Sequence, residues 1–192
     1  MTALPGVITH RYNPDRGACL NVCSLPDLEA SRILDGLRRE SRPTLKANYL
    51  ARRRRTEDWL AQAASKVLGR AIHQQPAYFF LGDFSYVVDL SRPAALVIPL
   101  SSLAPEAMTF TLGDSMSVAE EPGRRVYKLQ ETVALFHQGE AVAGFGLSDK
   151  AGFETRFVEV QVWDRSSVSI PRSQQRMPIR DIRRPEVGPS LR

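Results

Sequence analysis

The chain has 192 residues, 43% of them hydrophobic, a formal net charge of +5 and two cysteines. That is enough for one well-filled core and too little for two comfortable domains. No apolar run approaches a bilayer span and residues 1–6 lack the pattern of a signal peptide, so a cytoplasmic protein without membrane association is expected.

The charge is unevenly placed. From Pro171 onward six arginines stand against Asp181 and Glu186, and four prolines interrupt any apolar period. The sequence therefore predicts a single α+β domain over residues 1–168 and an irregular basic arm over 169–192. Such an arm would attract nucleic acid without reading its sequence, although a solvated tail has the same composition.

In chain order, Val7 to Thr9 is a short β-branched strand, followed by Asn13-Pro14 and Arg16-Gly17 as loop signals, which places His10 at the strand's end. Ser24-Leu25-Pro26-Asp27 gives a capping pattern, and Ala30, Ile33, Leu34 and Leu37 recur at helical spacing up to about Arg39. A second helix is predicted from Thr44 to Leu68, with Gly69 as its stop and Leu60, Ala63, Ala64, Val67 and Leu68 as its buried stripe. It carries Arg52, Arg53, Arg54 and Arg55. Four consecutive arginines point all round a helix, so at least one faces the protein body, where a guanidinium needs a carboxylate or phosphate. The ordinary alternative is a solvated basic face.

Strands follow at Tyr78 to Leu81, at Ala95 to Leu100, where Pro99 marks an end, an edge or a bulge, and at Met108 to Leu112 before Gly113-Asp114. Leu129 to His137 reads as a short helix with Leu129, Val133 and Phe136 apolar, and residues 139–152 as a flexible Gly/Ala/Ser-rich link. The clearest strand is residues 156–164. Its alternation sets Val158, Val160 and Val162 toward the core, with Phe157, Glu159, Gln161 and Trp163 on the other face. Glu159 and Gln161 would then form a cleft wall between two aromatics, or else a wet face of an antiparallel sheet. The order predicts α+β with a mixed or antiparallel β core.

Familiar catalytic signatures are missing: no glycine-rich phosphate loop, His-Glu-x-x-His, Gly-x-Ser-x-Gly or Cys-x-x-Cys pair is present. Cys19 and Cys23 have no second pair to complete a metal site, and His10, His73 and His137 have no ligand spacing, so free thiols and no metal are expected. One histidine, an arginine cluster, an aromatic strand and a late carboxylate remain. Together they suit a ligand with phosphates, a sugar and a flat ring.

Ile8-Thr9-His10-Arg11-Tyr12-Asn13 resembles the His-x-x-Asn opening of the DarT-like DNA ADP-ribosyltransferase toxins. Leu50-Ala51-Arg52-Arg53-Arg54 resembles their arginine-bearing helix, and Tyr78-Phe79-Phe80 their aromatic middle strand. The strand from Leu96 and the Phe110-Thr111 to Gly113-Asp114 step are also similar, as is the Glu-bearing final strand at Glu159. The resemblance implies a split β core gripping NAD without metal. His10, with Thr9 and Asn13, would hold the cofactor, joined by Arg53 and Tyr78; Arg52, Arg54 and Gln161 would meet the substrate; and Glu159 would promote transfer of ADP-ribose. The chain departs from the family by an insertion, residues 14–23, ahead of the first helix, and Tyr86 competes with Tyr78 as the stacking ring.

Two functions of different class are thus expected. The first is an NAD-dependent ADP-ribosyltransferase-like, toxin-like protein modifying nucleic acid or protein, with an antitoxin-like partner. The alternative is a non-catalytic nucleic-acid- or partner-binding α+β protein of a bacterial or phage regulatory system, using residues 52–55 and the C-terminal arginines, or one whose arginines and Glu159 merely pair with one another.

Overall fold

The structure, a computed structural model, describes residues 3–40, 42–139 and 157–168. Its strands are β1 (Val7–Tyr12), β2 (Ala77–Leu81), β3 (Ala94–Pro99), β4 (Met108–Leu112) and β5 (Val158–Val162). They form one sheet in the order β3-β1-β2-β5-β4, antiparallel at every pairing. The helices are α1 (Asp27–Glu40), α2 (Tyr49–Leu68), α3 (Ser115–Val118) and α4 (Leu129–Gln138). This is the expected α+β class, with the sheet resolved as antiparallel. No described helix is long and apolar enough to cross a membrane. The basic arm and nearly all of the 139–152 link lie outside the described residues.

Alternation along the strands builds the main core. Ile8, Phe79, Leu81, Ile98, Phe110 and the three β5 valines share one cluster with Leu100, Leu103 and Phe136 of α4. On the opposite face Trp163 is fully buried with Leu60 and Ala64 of α2 and with Val126. Both faces of β5 are therefore covered, and the expected wet face does not exist: every one of its five residues is buried.

Three boundaries differ from the sequence reading. β1 runs on to Tyr12, so His10 lies inside a strand flanked by β3 and β2, where polar residues are buried by neighbours rather than by their own hydrophobicity. α2 starts at Tyr49 rather than Thr44, and its buried face is Arg53, Thr56, Glu57, Leu60 and Ala64; Ala63, Val67 and Leu68 are only half-buried. The helix thus presents a polar upper half and an apolar lower half to the sheet, and Gly69, left-handed at φ 69°, ends it. Ser24 caps no helix; its hydroxyl meets Gln75. Pro99 closes β3, which is an edge strand, where a missing N–H costs no ladder bond.

One irregularity positions the site. β1 and β2 pair only at Ile8–Leu81 and Thr9–Phe80. Continuing that register would set Arg11 opposite Tyr78, yet the strands part. The His10 side chain enters the gap and takes the Tyr78 carbonyl, Nδ1 to O at 2.7 Å.

Candidate functional site

A cavity of about 430 Å³ opens where β1 and β2 separate. His10, Asn13, Arg53, Tyr78, Phe157, Asp114 and Glu159 all border it, and so do Arg11, Arg16, Arg42 and Arg92. Five arginines and two carboxyl groups line it; Arg16 is paired with Glu40, Arg42 and Arg92 with Asp89, and Arg53 with Glu57, while Arg11 donates to the carbonyls of Ser85, Arg92 and Pro93.

Glu159 forms the floor. It faces Thr111 across the β4–β5 pairing, with Gln161 facing Thr109. Trp163 Nε1 donates to Thr109 Oγ1 (2.8 Å), Thr109 donates to Gln161 Oε1 (3.1 Å), and Gln161 Nε2 donates to Thr111 Oγ1 (3.0 Å) and to Glu159 Oε1 (3.1 Å). Such a chain fixes one rotamer of the carboxylate. Burial pushes the Glu159 carboxyl up to about 7, against the pull of Arg53, with Asp114 adding to the rise and a Ser115 hydrogen bond opposing it. An acid poised there exchanges a proton at neutral pH and, when ionised, stabilises positive charge.

Arg53 is the arginine that faces inward. Its Nε donates to Glu57 Oε1 (3.2 Å), its Nη1 reaches Ser115 Oγ (3.4 Å), and its guanidinium lies 3.9 Å from the centre of the Tyr78 ring. Burial opposes its charge, but Tyr78, Glu159, Tyr49 and Glu57 more than restore it, so it stays protonated. Tyr78 OH donates to Glu57 Oε1 at 2.8 Å, and Asn21 Nδ2 donates to the same oxygen at 3.0 Å.

His10 is neutral and its tautomer is fixed. Nε2 accepts from the Cys19 N–H (2.9 Å), so Nδ1 carries the proton that goes to Tyr78. Burial, helped by Arg92 and Arg165 and opposed by that backbone bond, drops its pKa to about 4. Cys19 belongs to the 14–23 insertion and is the one non-glycine residue with positive φ among those described, at 59°. The Cys19 and Cys23 thiols are free and are pushed up to about 11, first by burial, so neither is an activated nucleophile. No metal-binding cluster occurs among the described residues.

The other expected site residues sit apart. Thr9 is fully buried, donating to the Gly82 carbonyl and accepting from the Phe84 N–H, and serves the turn after β2. Gln161 lies beneath Glu159, fully buried, and meets no open space. Arg52 pairs with Glu120 and Arg54 with Asp27, each at 2.6 Å on the outer surface. Tyr86 is an exposed loop residue, so of the two candidates Tyr78 is the one that borders the cavity, alongside Tyr12 and Tyr49.

Glu57, Ser115, Asn21, Arg42 and Arg92 went unnoticed in the sequence. Glu57 follows Arg53 by four, the commonest surface ion-pair spacing, so nothing marks it as buried. Arg42 and Arg92 come from loops and meet around Asp89, at 3.4 and 2.8 Å, a convergence no local pattern encodes. No family model matches this chain, and no curated protein or solved structure is significantly similar to it.

Proposed function

We propose that the protein is an ADP-ribosyltransferase-like enzyme that consumes NAD. The observation that supports this most is that His10, Arg53, Tyr78 and Glu159, from four separate elements, border one arginine-rich cavity at a split in the sheet. NAD offers what that lining would hold: two phosphates for the arginines at the rim, a ribose, and a flat ring beside Tyr78.

In the proposed reaction the bond from the ribose carbon to the nicotinamide nitrogen breaks, and the electron pair leaves with nicotinamide. The cationic character left on the carbon is stabilised by ionised Glu159. An acceptor hydroxyl or amine then bonds to that carbon and gives its proton to the Glu159 carboxylate. The rate should rise through about pH 7 as Glu159 ionises. His10 can accept from a ribose hydroxyl only once the Cys19 peptide has released Nε2, so binding requires the 14–23 segment to shift.

A passive nucleic-acid binder is less well supported. Arg52 and Arg54 are each tied to a carboxylate rather than free on a basic face. The decisive experiment incubates the protein with labelled NAD and, separately, single-stranded DNA, tRNA or cell lysate. Label should transfer with the wild type and fall at least about 100-fold in Glu159→Ala, the scale of one lost transition-state contact. Equal labelling by the two proteins would remove Glu159 from the chemistry; no labelling under any condition sinks the transferase.

A further inference from the structure

We propose that Glu57 is a positioning residue, clamping the Arg53 guanidinium against Tyr78 and so holding it off Glu159. One oxygen, Oε1, accepts from three elements at once: Asn21 before α1, Arg53 on α2 and Tyr78 on β2, at 3.0, 3.2 and 2.8 Å. The other oxygen is buried and has no hydrogen-bond partner among the described residues. Two-sided hydrogen bonding would be the arrangement expected of a carboxylate that merely stabilises the fold. Loading one oxygen aims Arg53 instead.

The aim matters because Arg53 has two acids within reach of a rotamer change. Its ion pair is with Glu57 at 3.2 Å, whereas Glu159 is not ion-paired with it and attracts it only at longer range. A guanidinium released from Glu57 would close on Glu159 directly. That would neutralise the floor of the cavity and remove the cation from the ligand side. The clamp keeps Glu159 and Arg53 as separate, simultaneously available groups.

The inference rests on the transferase reading for its consequence at the reacting centre, but its test needs no NAD. Glu159 is faced by Arg53 from α2, Tyr78 from β2, Asp114 and Ser115 at the head of α3, and Gln161 on its own strand. Carboxyl carbon NMR on the full chain, assigned by loss of the signal in Glu159→Gln, reads the Glu159 midpoint. In Glu57→Gln, which keeps the shape, the midpoint should fall by about 1 pH unit or more, as an opposite charge moves close. Glu57→Asp keeps the charge but shortens the reach, and it should lower the midpoint too. A Glu57→Asp midpoint equal to the wild type's would overturn the clamp, as would an unchanged Glu57→Gln midpoint. Should Glu57→Gln fail to fold by circular dichroism, the Glu57→Asp result alone decides. The two readings separate cleanly. A shifted midpoint without NAD turnover keeps the clamp and ends the transferase, whereas turnover with an unshifted midpoint does the reverse.

Discussion

At the cavity floor burial lifts Glu159 to about 7 and drops His10 to about 4, from ordinary values of 4.5 and 6.5. Their effects on stability therefore run in opposite directions. Native Glu159 keeps a proton that the unfolded chain has released, so its contribution is full below pH 4.5 and is lost as pH rises through 7. Native His10 refuses a proton that the unfolded chain accepts, so its contribution is full above 6.5 and is lost as pH falls through 4. Between 4.5 and 6.5 the two largely offset each other, and the wild type should show a flat stability profile there. Glu159→Gln removes one side of the balance. It should melt higher than the wild type at pH 8, by about 2 kcal/mol or roughly 4–8 °C, and lose stability steadily on acidification below 6.5. Calorimetry across pH 4.5–8 checks this; parallel curves for the two proteins would mean Glu159 titrates normally. Part of this chemistry was legible beforehand. The run Arg52 to Arg55 forced one guanidinium inward by geometry alone, and it is Arg53. His10 was placed at the end of β1 rather than inside it because His-Arg-Tyr-Asn has the composition of a loop, and only the neighbours β2 and β3 bury it. Gln161 shared the face of Glu159 as alternation required, but period two says nothing of depth.

α2 joins the two chemistries of the molecule, since Arg53 faces the cavity with Glu57 bonded behind it, while Leu60 and Ala64 seal Trp163 one and two turns further on. Its lower half therefore sets the height of its upper half over the sheet. Leu60→Ala should cost about 2–5 kcal/mol, measured by urea denaturation, because Leu60 is fully buried and the truncation leaves a cavity against Trp163. A loss under 1 kcal/mol would mean that α2 does not depend on this contact. The strands were the most readable elements: β4 matches its expected residues 108–112, and β2, β3 and β5 match within two at each end. Strand alternation is a local property, and so it survives in the sequence. The buried stripe of α2 was legible only in part, since a reader of periodicity looks for apolar residues and skips Arg53, Thr56 and Glu57.

For the whole molecule the simplest global measurement is a thermal shift. A ligand that binds only the folded state raises the melting temperature by mass action, by about 2.7 kcal/mol at 100 times its Kd. NAD at such a concentration should raise it by roughly 5–10 °C for a chain of this size, with no response from a passive binder. The order of the strands has a further consequence. β5 lies between β2 and β4, yet it is the last of the described strands to leave the ribosome. A nascent polypeptide halted before Val158 leaves the β2 and β4 edges that β5 joins unpaired and lacks Glu159. Synthesis thus withholds both the finished sheet and the buried carboxyl of the cavity floor until β5 has emerged, and a product truncated ahead of it would present open strand edges to its neighbours.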